Sequence, residues 1–198
     1  MKLSELLFDI PVLDANVGMD TEITGVSYDS RQTCPGDLFV AVVGYATDGH
    51  KYISAALEKG AAAILCQRRP EEENVPYVLT EDSRLGLALV SRAWFGAPSD
   101  RMSMIGVTGT NGKTTTTLLI KHILERCLGA KVGLIGTNGN RIGSRELPTE
   151  RTTPESYELQ KLLRDMADAG CTHVVMEVSS HALELSRVAG IRYRMAWH

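Results

Sequence analysis

The sequence predicts an α/β fold in two consecutive domains. Three observations predict it. Short apolar runs of strand character alternate with amphipathic helical segments along the 198-residue chain. A glycine-rich turn separates a predicted strand at residues 104–107 from a predicted helix at residues 113–128. A Gly-Ala-Pro-Ser-Asp break at residues 96–100 interrupts the chain near its middle, where glycine ends a helix and proline prevents its continuation.

The first domain, residues 1–97, is predicted to be a Rossmann-like α/β layer. Strands are expected at residues 23–28, 38–43, 62–65 and 77–79, and helices at residues 52–59 and 84–95.

The second domain, residues 98–198, is predicted to be a parallel sheet. Strands are expected at residues 104–107, 132–135, 172–176 and 191–197, and helices at residues 113–128, 154–169 and 182–187. In the first of these helices Leu119, Ile123 and Cys127 form an apolar stripe, with Ile120, Leu124 and Leu128 beside it. Because the sequence stops after a single strand of the next unit, we expect this domain to be truncated.

Composition bounds the functional class. A net charge of −3 argues against a nucleic-acid-binding surface. No apolar run approaches the roughly 18 residues of a membrane span, and residues 1–9 lack the features of a signal peptide. The four cysteines are widely spaced, which favours reduced structural thiols over disulfides or zinc ligands. We therefore expect a cytoplasmic protein without a nucleic-acid or membrane partner.

The stretch Gly-Val-Thr-Gly-Thr-Asn-Gly-Lys-Thr-Thr at residues 106–115 lies where a phosphate-binding loop must lie, between a strand and a helix. Backbone N–H groups and the helix dipole would bind an anion there. Lys113 would reach the terminal phosphates of ATP, and the Thr114 hydroxyl would ligate Mg²⁺. Val107 stands where the strict pattern has glycine, so the loop is a variant. The predicted ATP-binding residues are Gly109, Thr110, Asn111, Gly112, Lys113, Thr114 and Thr115. A structural turn with a surface lysine is the less favoured alternative.

Glu177 ends an apolar strand and is a second candidate for the metal, because a carboxylate at a strand tip beside a phosphate loop suits Mg²⁺. A solvated strand-end glutamate is the alternative. Nearby, His181 could be a metal ligand, a phosphate contact or a packed residue. Ser179 could cap the next helix or bind substrate, and Arg187 could pair with an anion or lie on the surface.

Thr153 followed by Pro154 predicts an N-cap and a first helical residue. With Thr152, this N-terminus could also present N–H groups to an anion. In the first domain, Asp29 and Arg31 could simply pair near the surface.

Together these residues resemble the Mur ligase family, the ATP-dependent amide-forming enzymes of bacterial cell-wall synthesis, over nearly the whole chain to about residue 193. The stretch at 109–115 looks like the family's form of the phosphate loop. The similar amino-terminal segments are residues 29–31, 35–41 and 48–50. Residues 150–154 and 176–183 resemble the ligase that adds the third peptide residue.

The resemblance implies a peptidoglycan precursor ligase. ATP would phosphorylate the D-glutamyl carboxylate of UDP-MurNAc-L-Ala-D-Glu, and the amine of a diamino acid, lysine or diaminopimelate, would attack the acyl phosphate. Catalysis would rest on Lys113 and Glu177, with Thr114 and Glu177 serving Mg²⁺. Tyr28, Ser30 and the loop at Tyr45 would contact the uridine nucleotide. The muramoyl-dipeptide would be held by Thr152, Thr153, Ser179 and Arg187.

Members of this family carry a third, carboxy-terminal domain that is absent from this sequence. We therefore expect the chain to be inactive alone. We also expect a monomer. The alternatives are another ligase of the same group, such as the dipeptide-adding ligase or a folylpolyglutamate synthase, and a non-catalytic nucleotide-sugar-binding module. The motif at residues 176–183 disfavours the other ligases. A P-loop kinase or GTPase is less favoured, since it gives the first domain no purpose.

Overall fold

The computed structural model describes residues 1–44, 47–72, 74–149 and 151–198. It divides into two compact units, Met1–Trp94 and Phe95–His198. The division falls slightly before the boundary expected after residue 97, because Phe95 belongs to the second unit. Its ring packs edge-on against Tyr157, with centroids 5.2 Å apart, and its carbonyl accepts a hydrogen bond from Arg164.

The first unit is built around a five-stranded sheet of order β1-β5-β4-β3-β2. Strands β2, β3, β4 and β5 pair with one another in parallel, and β1 adds to β5 as an antiparallel edge strand. A short 3₁₀ helix, Gly49–Tyr52, leads into α2. In chain order the elements are α1 (Leu3–Leu6), β1 (Asp14–Ala15), β2 (Gly25–Ser27), β3 (Asp37–Val40), α2 (Ile53–Glu58), β4 (Ala63–Cys66), β5 (Tyr77–Leu79) and α3 (Ser83–Trp94).

The predicted strands and helices of this unit are present, with some shifted ends. The strand expected at residues 38–43 stops at Val40, because the chain then turns so that the N–H of Gly49 donates to the carbonyl of Val42 at 2.8 Å. A Cβ at Gly49 would lie 2.6 Å from the nitrogen of Val42, so this approach requires glycine. The sequence did not predict α1 or β1, which are four and two residues long.

The second unit contains a six-stranded sheet of order β11-β6-β10-β7-β8-β9. The first four strands in that order are parallel, as the strand–helix–strand pattern predicts. The hairpin of β8 and β9 is antiparallel and was not predicted. A 3₁₀ helix, Pro98–Arg101, precedes β6. The elements are β6 (Ser103–Val107), α4 (Lys113–Leu128), β7 (Val132–Ile135), β8 (Asn140–Ile142), β9 (Arg145–Leu147), α5 (Ser156–Asp168), β10 (His173–Glu177), α6 (Ser180–Glu184) and β11 (Tyr193–Trp197).

The two faces of this sheet bury separate apolar clusters. On one face α5 contributes Leu159, Leu163 and Met166, all fully buried. Against the other cluster α4 packs Ile120 and Leu124. The neighbouring stripe of α4 faces solvent, with Leu119 and Ile123 58% and 48% exposed.

The start of α5 differs from its prediction. The helix begins at Ser156, its N-cap is Glu155, and no side chain caps it. The assignment of Thr153 and Pro154 as the N-cap and first helical residue is therefore wrong. Thr153 is instead engaged by the neighbouring strand, as described below.

Candidate functional site

The phosphate loop runs from Thr108 to Gly112 between β6 and α4. Its backbone needs glycine at two points, since Gly109 and Gly112 have φ of 122° and 79°. Gly112 is the N-cap of α4 and offers no capping side chain, which leaves the N-terminal turn open to an anion. The N–H of Thr108 donates to the carbonyl of Trp197 in β11 at 2.8 Å, so the start of the loop is tied to the adjacent strand.

Lys113 lies over this loop rather than out in solvent. Its Nζ donates to the carbonyl of Gly109 at 2.7 Å and lies 3.4 Å from that of Thr110. The departure at Val107 is explained, because this residue is the buried last residue of β6 and the loop begins after it. The remaining predicted loop residues, Asn111 and Thr115, are exposed. The loop is thus accessible to a ligand, and the Lys113 ammonium group already lies over it.

Glu177 is the last residue of β10 and is 1% exposed, so the solvated strand-end alternative is wrong. Its Oε1 accepts from the Thr114 hydroxyl at 2.9 Å and from the Thr137 N–H at 3.0 Å. Its Oε2 accepts from the Thr137 hydroxyl at 3.1 Å. This position follows from the sheet order, because β10 lies between β6, which leads into the phosphate loop, and β7, which leads to Thr137.

The electrostatics of Glu177 are unusual for a buried carboxylate. Its hydrogen-bond donors in the described part of the chain, two hydroxyls and one amide, are all neutral. A buried carboxylate is costly unless a cation accompanies it. The Thr114 hydroxyl and the Glu177 carboxylate are hard oxygen donors of the kind that Mg²⁺ binds.

Few other side chains could hold a metal here. Among the described residues there is no group of three or more His, Cys, Asp or Glu side chains that could do so. A site with one carboxylate and one hydroxyl suits Mg²⁺ better than Ca²⁺ or Zn²⁺, because Mg²⁺ usually keeps several waters and takes oxygens from substrate phosphates. The residues present therefore fit the predicted metal.

The segment at residues 151–155 joins the same cluster. The Thr137 hydroxyl lies 3.0 Å from that of Thr152. The buried Thr153 hydroxyl donates to the carbonyl of Glu177 at 2.9 Å and accepts from the N–H of Ser179 at 3.2 Å. A hydroxyl with two buried backbone partners in another strand cannot also cap its own helix, which is why the local capping signal misled.

Ser179 and Arg187 also reach this segment. Ser179 is the N-cap of α6, and its hydroxyl accepts from the Ala182 N–H at 3.2 Å, so the capping alternative is confirmed. Arg187 is mostly buried, which contradicts a surface arginine. Its Nη1 donates to the Thr153 carbonyl at 3.3 Å, and its Nε lies 3.2 Å from Glu155.

Two further outcomes concern the residues of this cluster. His181 is exposed, so the packed alternative is wrong. Sequence reasoning missed Thr137, which contacts Glu177 and lies one glycine beyond a strand of the predicted parallel sheet. The rule that pointed to Glu177, a polar residue at the carboxyl end of a strand, could have found it.

In the first unit the predicted contacts Tyr28 and Ser30 directly follow β2, at the carboxyl edge of the sheet. The loop after the neighbouring strand β3 includes Tyr45, which lies outside the described residues. Asp29 and Arg31, which alternate with Tyr28 and Ser30 along the chain, form an ion pair at 2.7 Å, as one alternative predicted. Hydrogen bonding from Arg31 lowers the pKa of Asp29 to about 2.

A cavity of about 500 Å³ opens at the carboxyl ends of β3 and β4, lined by residues 48, 50, 51, 53, 54 and 68–72. The His50 Nδ1 donates to Oδ1 of Asp48 at 2.7 Å, and Arg68 also pairs with Asp48. Burial of Asp48 acts to raise its pKa, but the bonds from His50 and Arg68 outweigh it and lower the pKa to about 2. Tyr28 and Ser30 do not line this cavity.

Comparison with known proteins supplies the family. Residues 107–197 match the model of the Mur ligase middle domain, and residues 22–94 match that of the Mur ligase family catalytic domain. The chain belongs to the Mur ligase family. In the part of the chain that the structure describes, no helix is long and apolar enough to cross a membrane.

Individual Mur ligases match along nearly the whole chain. One is the UDP-N-acetylmuramoyl-L-alanyl-D-glutamate–2,6-diaminopimelate ligase of Chlorobium phaeobacteroides, 49% identical over 99% of this chain and 39% of its own length. A solved structure of a ligase with that name has a TM-score of 0.82 at 29% identity, covering 99% of this chain and 39% of that one.

A more distant structure is informative about nucleotide binding. The Thermotoga maritima MurF ligase, solved in complex with ADP, has a TM-score of 0.54 at 27% identity and covers 87% of this chain and 36% of that one. The present chain thus spans about 40% of the length of the relatives it matches.

Proposed function

We propose that this Mur ligase chain carries the nucleotide-binding and acceptor-binding residues for an ATP-dependent amide ligation in peptidoglycan precursor synthesis. The acceptor would be UDP-MurNAc-L-Ala-D-Glu and the amine donor 2,6-diaminopimelate, because relatives nearly half identical carry these in their names. The observation that carries the proposal is the buried Glu177 carboxylate, bonded to the Thr114 hydroxyl beside an open phosphate loop.

The reaction has two steps. First, an oxygen of the D-glutamyl carboxylate bonds to the γ-phosphorus of ATP as the bond to the β-phosphate oxygen breaks and ADP leaves. Second, the amine nitrogen bonds to the acyl carbon, phosphate leaves, and the nitrogen loses a proton. Both steps place negative charge on phosphate oxygens, so stabilising that charge is the main task of the protein.

The residues divide this task. Gly109, Thr110, Asn111, Gly112 and the first turn of α4 would bind the β- and γ-phosphates through backbone N–H groups, and Lys113 would follow the transferring phosphate. Thr114 and Glu177 would hold Mg²⁺. When bound, Mg²⁺ neutralises charge on the phosphates.

On the acceptor side, Arg187 and Ser179 would orient the dipeptide end with Thr152 and Thr153, and Tyr28, Ser30 and Tyr45 would contact the uridine nucleotide. The Thr153 carbonyl, 3.3 Å from Nη1, and the Glu155 carboxylate, 3.2 Å from Nε, hold the guanidinium of Arg187. A fixed guanidinium suits bidentate binding of a carboxylate. The cytoplasm is the proposed location, since ATP and the UDP-linked precursor are needed together.

Calorimetric titration of the chain tests both halves of the proposal. We expect saturable binding of Mg–ATP that Lys113→Ala abolishes and the exposed control Lys161→Ala retains. We expect binding of UDP-MurNAc-L-Ala-D-Glu that Ser30→Ala weakens and Ser4→Ala does not.

UDP-N-acetylglucosamine provides the contrast, because it lacks the dipeptide. Equal affinity for both UDP-sugars would favour a simple nucleotide-sugar-binding module and contradict the ligase proposal. No binding of Mg–ATP by the folded chain would also contradict it.

A further inference from the structure

Thr137 is an exposed residue at the carboxyl end of β7, yet it makes the most contacts with the buried Glu177 carboxylate. Its N–H donates to Oε1 at 3.0 Å and its hydroxyl donates to Oε2 at 3.1 Å. The third bond comes from Thr114 at 2.9 Å. Thr137 therefore spans both carboxylate oxygens and fixes the rotation of the group, which a single bond could not do.

The backbone around Thr137 is shaped for this contact. A Cβ at the preceding residue, Gly136, would lie 2.4 Å from Oε1 of Glu177 and 3.0 Å from its carboxyl carbon. Only glycine lets the chain pass this close to the carboxylate. The close approach that gives Thr137 its two bonds to Glu177 thus depends on both Gly136 and Thr137.

The direction of the hydrogen bonds extends the argument to Thr152. A carboxylate only accepts, so the single proton of the Thr137 hydroxyl is committed to Glu177. The Thr137 and Thr152 hydroxyls lie 3.0 Å apart, so in this hydrogen bond the Thr152 hydroxyl donates and the Thr137 oxygen accepts. The protons point in one direction, from Thr152 through Thr137 to Glu177, and they link the segment at residues 151–153 to the carboxylate.

The same inventory explains how Glu177 can serve a cation. The Thr114 hydroxyl donates its proton to Oε1, so the lone pairs of its oxygen stay free to bind a cation. Oε2 accepts from the Thr137 hydroxyl and retains capacity for another partner. Holding these oxygens still matters, because the partners that orient metal ligands commonly contribute about 10- to 100-fold to metal affinity.

We propose that Thr137 is a positioning residue that holds Glu177 in place for the metal–nucleotide complex and couples filling of that site to ordering of Thr152. The inference rests on the proposed function, since it assumes that the loop binds a metal–nucleotide complex. It assigns Thr137 no contact with substrate. Its effect is transmitted through Glu177 and Thr152.

Electron paramagnetic resonance with Mn²⁺ and a non-hydrolysable ATP analogue provides the first test. Thr137→Val keeps the branched shape but loses the hydroxyl, and we expect it to weaken Mn²⁺ binding about tenfold. Thr137→Ser restores the hydroxyl and should bind within about twofold of the unsubstituted chain. Thr172→Val makes the same change in an exposed residue before the opposite end of β10 and should have no effect.

Amide hydrogen exchange provides the second readout, which a purely structural role would not move. Adding Mg²⁺ and the analogue should slow exchange at residues 151–153 in the unsubstituted chain and in Thr137→Ser. That slowing should be lost in Thr137→Val. Thr137→Ala supplies a second hydroxyl-free variant, and thermal melts establish that each variant is folded.

The outcomes separate the two proposals. If the unsubstituted chain fails to bind Mn²⁺ and the analogue, the proposed function is wrong and the role of Thr137 falls with it. If it binds, and Thr137→Val and Thr137→Ala bind equally well with unchanged exchange at residues 151–153, the role of Thr137 alone is overturned.

Discussion

The two sheets of this chain treat charge at their carboxyl edges in opposite ways. In the first unit, acidic side chains near the edge have cationic partners, as in Asp29 with Arg31 and Asp48 with His50 and Arg68. In the second unit, the buried Glu177 is surrounded by threonine hydroxyls and an amide, all of them neutral. Similar parallel strands thus end in self-neutralised pairs in one unit and in an uncompensated carboxylate in the other.

This difference separates stability from function. An acid with a basic partner contributes to folding, modestly when the pair is exposed. A buried acid with only neutral donors costs folding free energy, and such local costs concentrate at functional sites. Substitutions at the first edge should therefore change stability, whereas substitutions at the second should chiefly change binding of a cation.

The largest effect is expected for Glu177→Gln. Removing the charge at nearly constant shape should weaken Mn²⁺–nucleotide binding about 100-fold, at the upper end for residues that position or bind metals. The free energy of unfolding of the ligand-free chain should not fall. Mn²⁺ titration and urea denaturation measure the two quantities, with Glu184→Gln on α6 as an exposed control. A variant that keeps its Mn²⁺ affinity would refute the contrast between the two edges.

Gly136→Ala should have the next largest effect. The new methyl would lie 2.4 Å from Oε1 of Glu177, so either the carboxylate or the β7 end must move. Overpacking of this kind costs about 1–3 kcal/mol, and metal affinity should fall with it. Gly18→Ala is the matched control, since its nearest neighbour would be 3.8 Å away. Calorimetric melts and Mn²⁺ titration check both effects, and a variant indistinguishable from Gly18→Ala would contradict the close approach.

Asp48→Asn tests the first edge. It removes an acid bonded to His50 and Arg68, and we expect a loss of about 1 kcal/mol of stability. Because folding lowers the pKa of Asp48 from 3.8 to about 2, its contribution is present above pH 3.8 and disappears as the pH falls toward 2. Urea denaturation between pH 6 and pH 2 should show the two proteins converging at low pH. A constant difference over that range would argue against this ion pair.

The smallest effect is expected for Arg31→Gln. Arg31 is 87% exposed, so losing its pair with Asp29 should hardly change the free energy of unfolding. The clearer sign is titration, since the pKa of Asp29 should rise from about 2 toward 3.8. Carbon-detected NMR of the carboxyl group follows it, and Arg126→Gln on α4 should leave it unchanged. An unmoved pKa would mean that Arg31 does not hold Asp29 in solution.

The sequence predicted the elements that local patterns determine. Helix α4 and strand β7 have the predicted bounds, because a glycine N-cap and C-cap frame the helix and an unbroken apolar run makes the strand. Glu177 could be recognised by the same reasoning, since its place at the end of an apolar strand is visible locally.

Sequence reasoning failed where the deciding partner is distant in the chain. Thr153 carries a convincing local capping signal, but its hydroxyl binds the carbonyl of Glu177, 24 positions away. The strand-end rule could have marked Thr137 as a candidate, but its bonds to Glu177 depend on the placement of β10 between β6 and β7, which no pattern within β7 reveals.

The tie between Trp197 and the phosphate loop has an optical consequence. The carbonyl of Trp197 accepts the N–H of Thr108, the first loop residue, at 2.8 Å, while its side chain is 60% exposed. The chain has two tryptophans, the other being Trp94 in α3. In a Trp94→Phe variant, Trp197 would be the single source of indole fluorescence. Its emission would then report nucleotide binding to the loop without an added label.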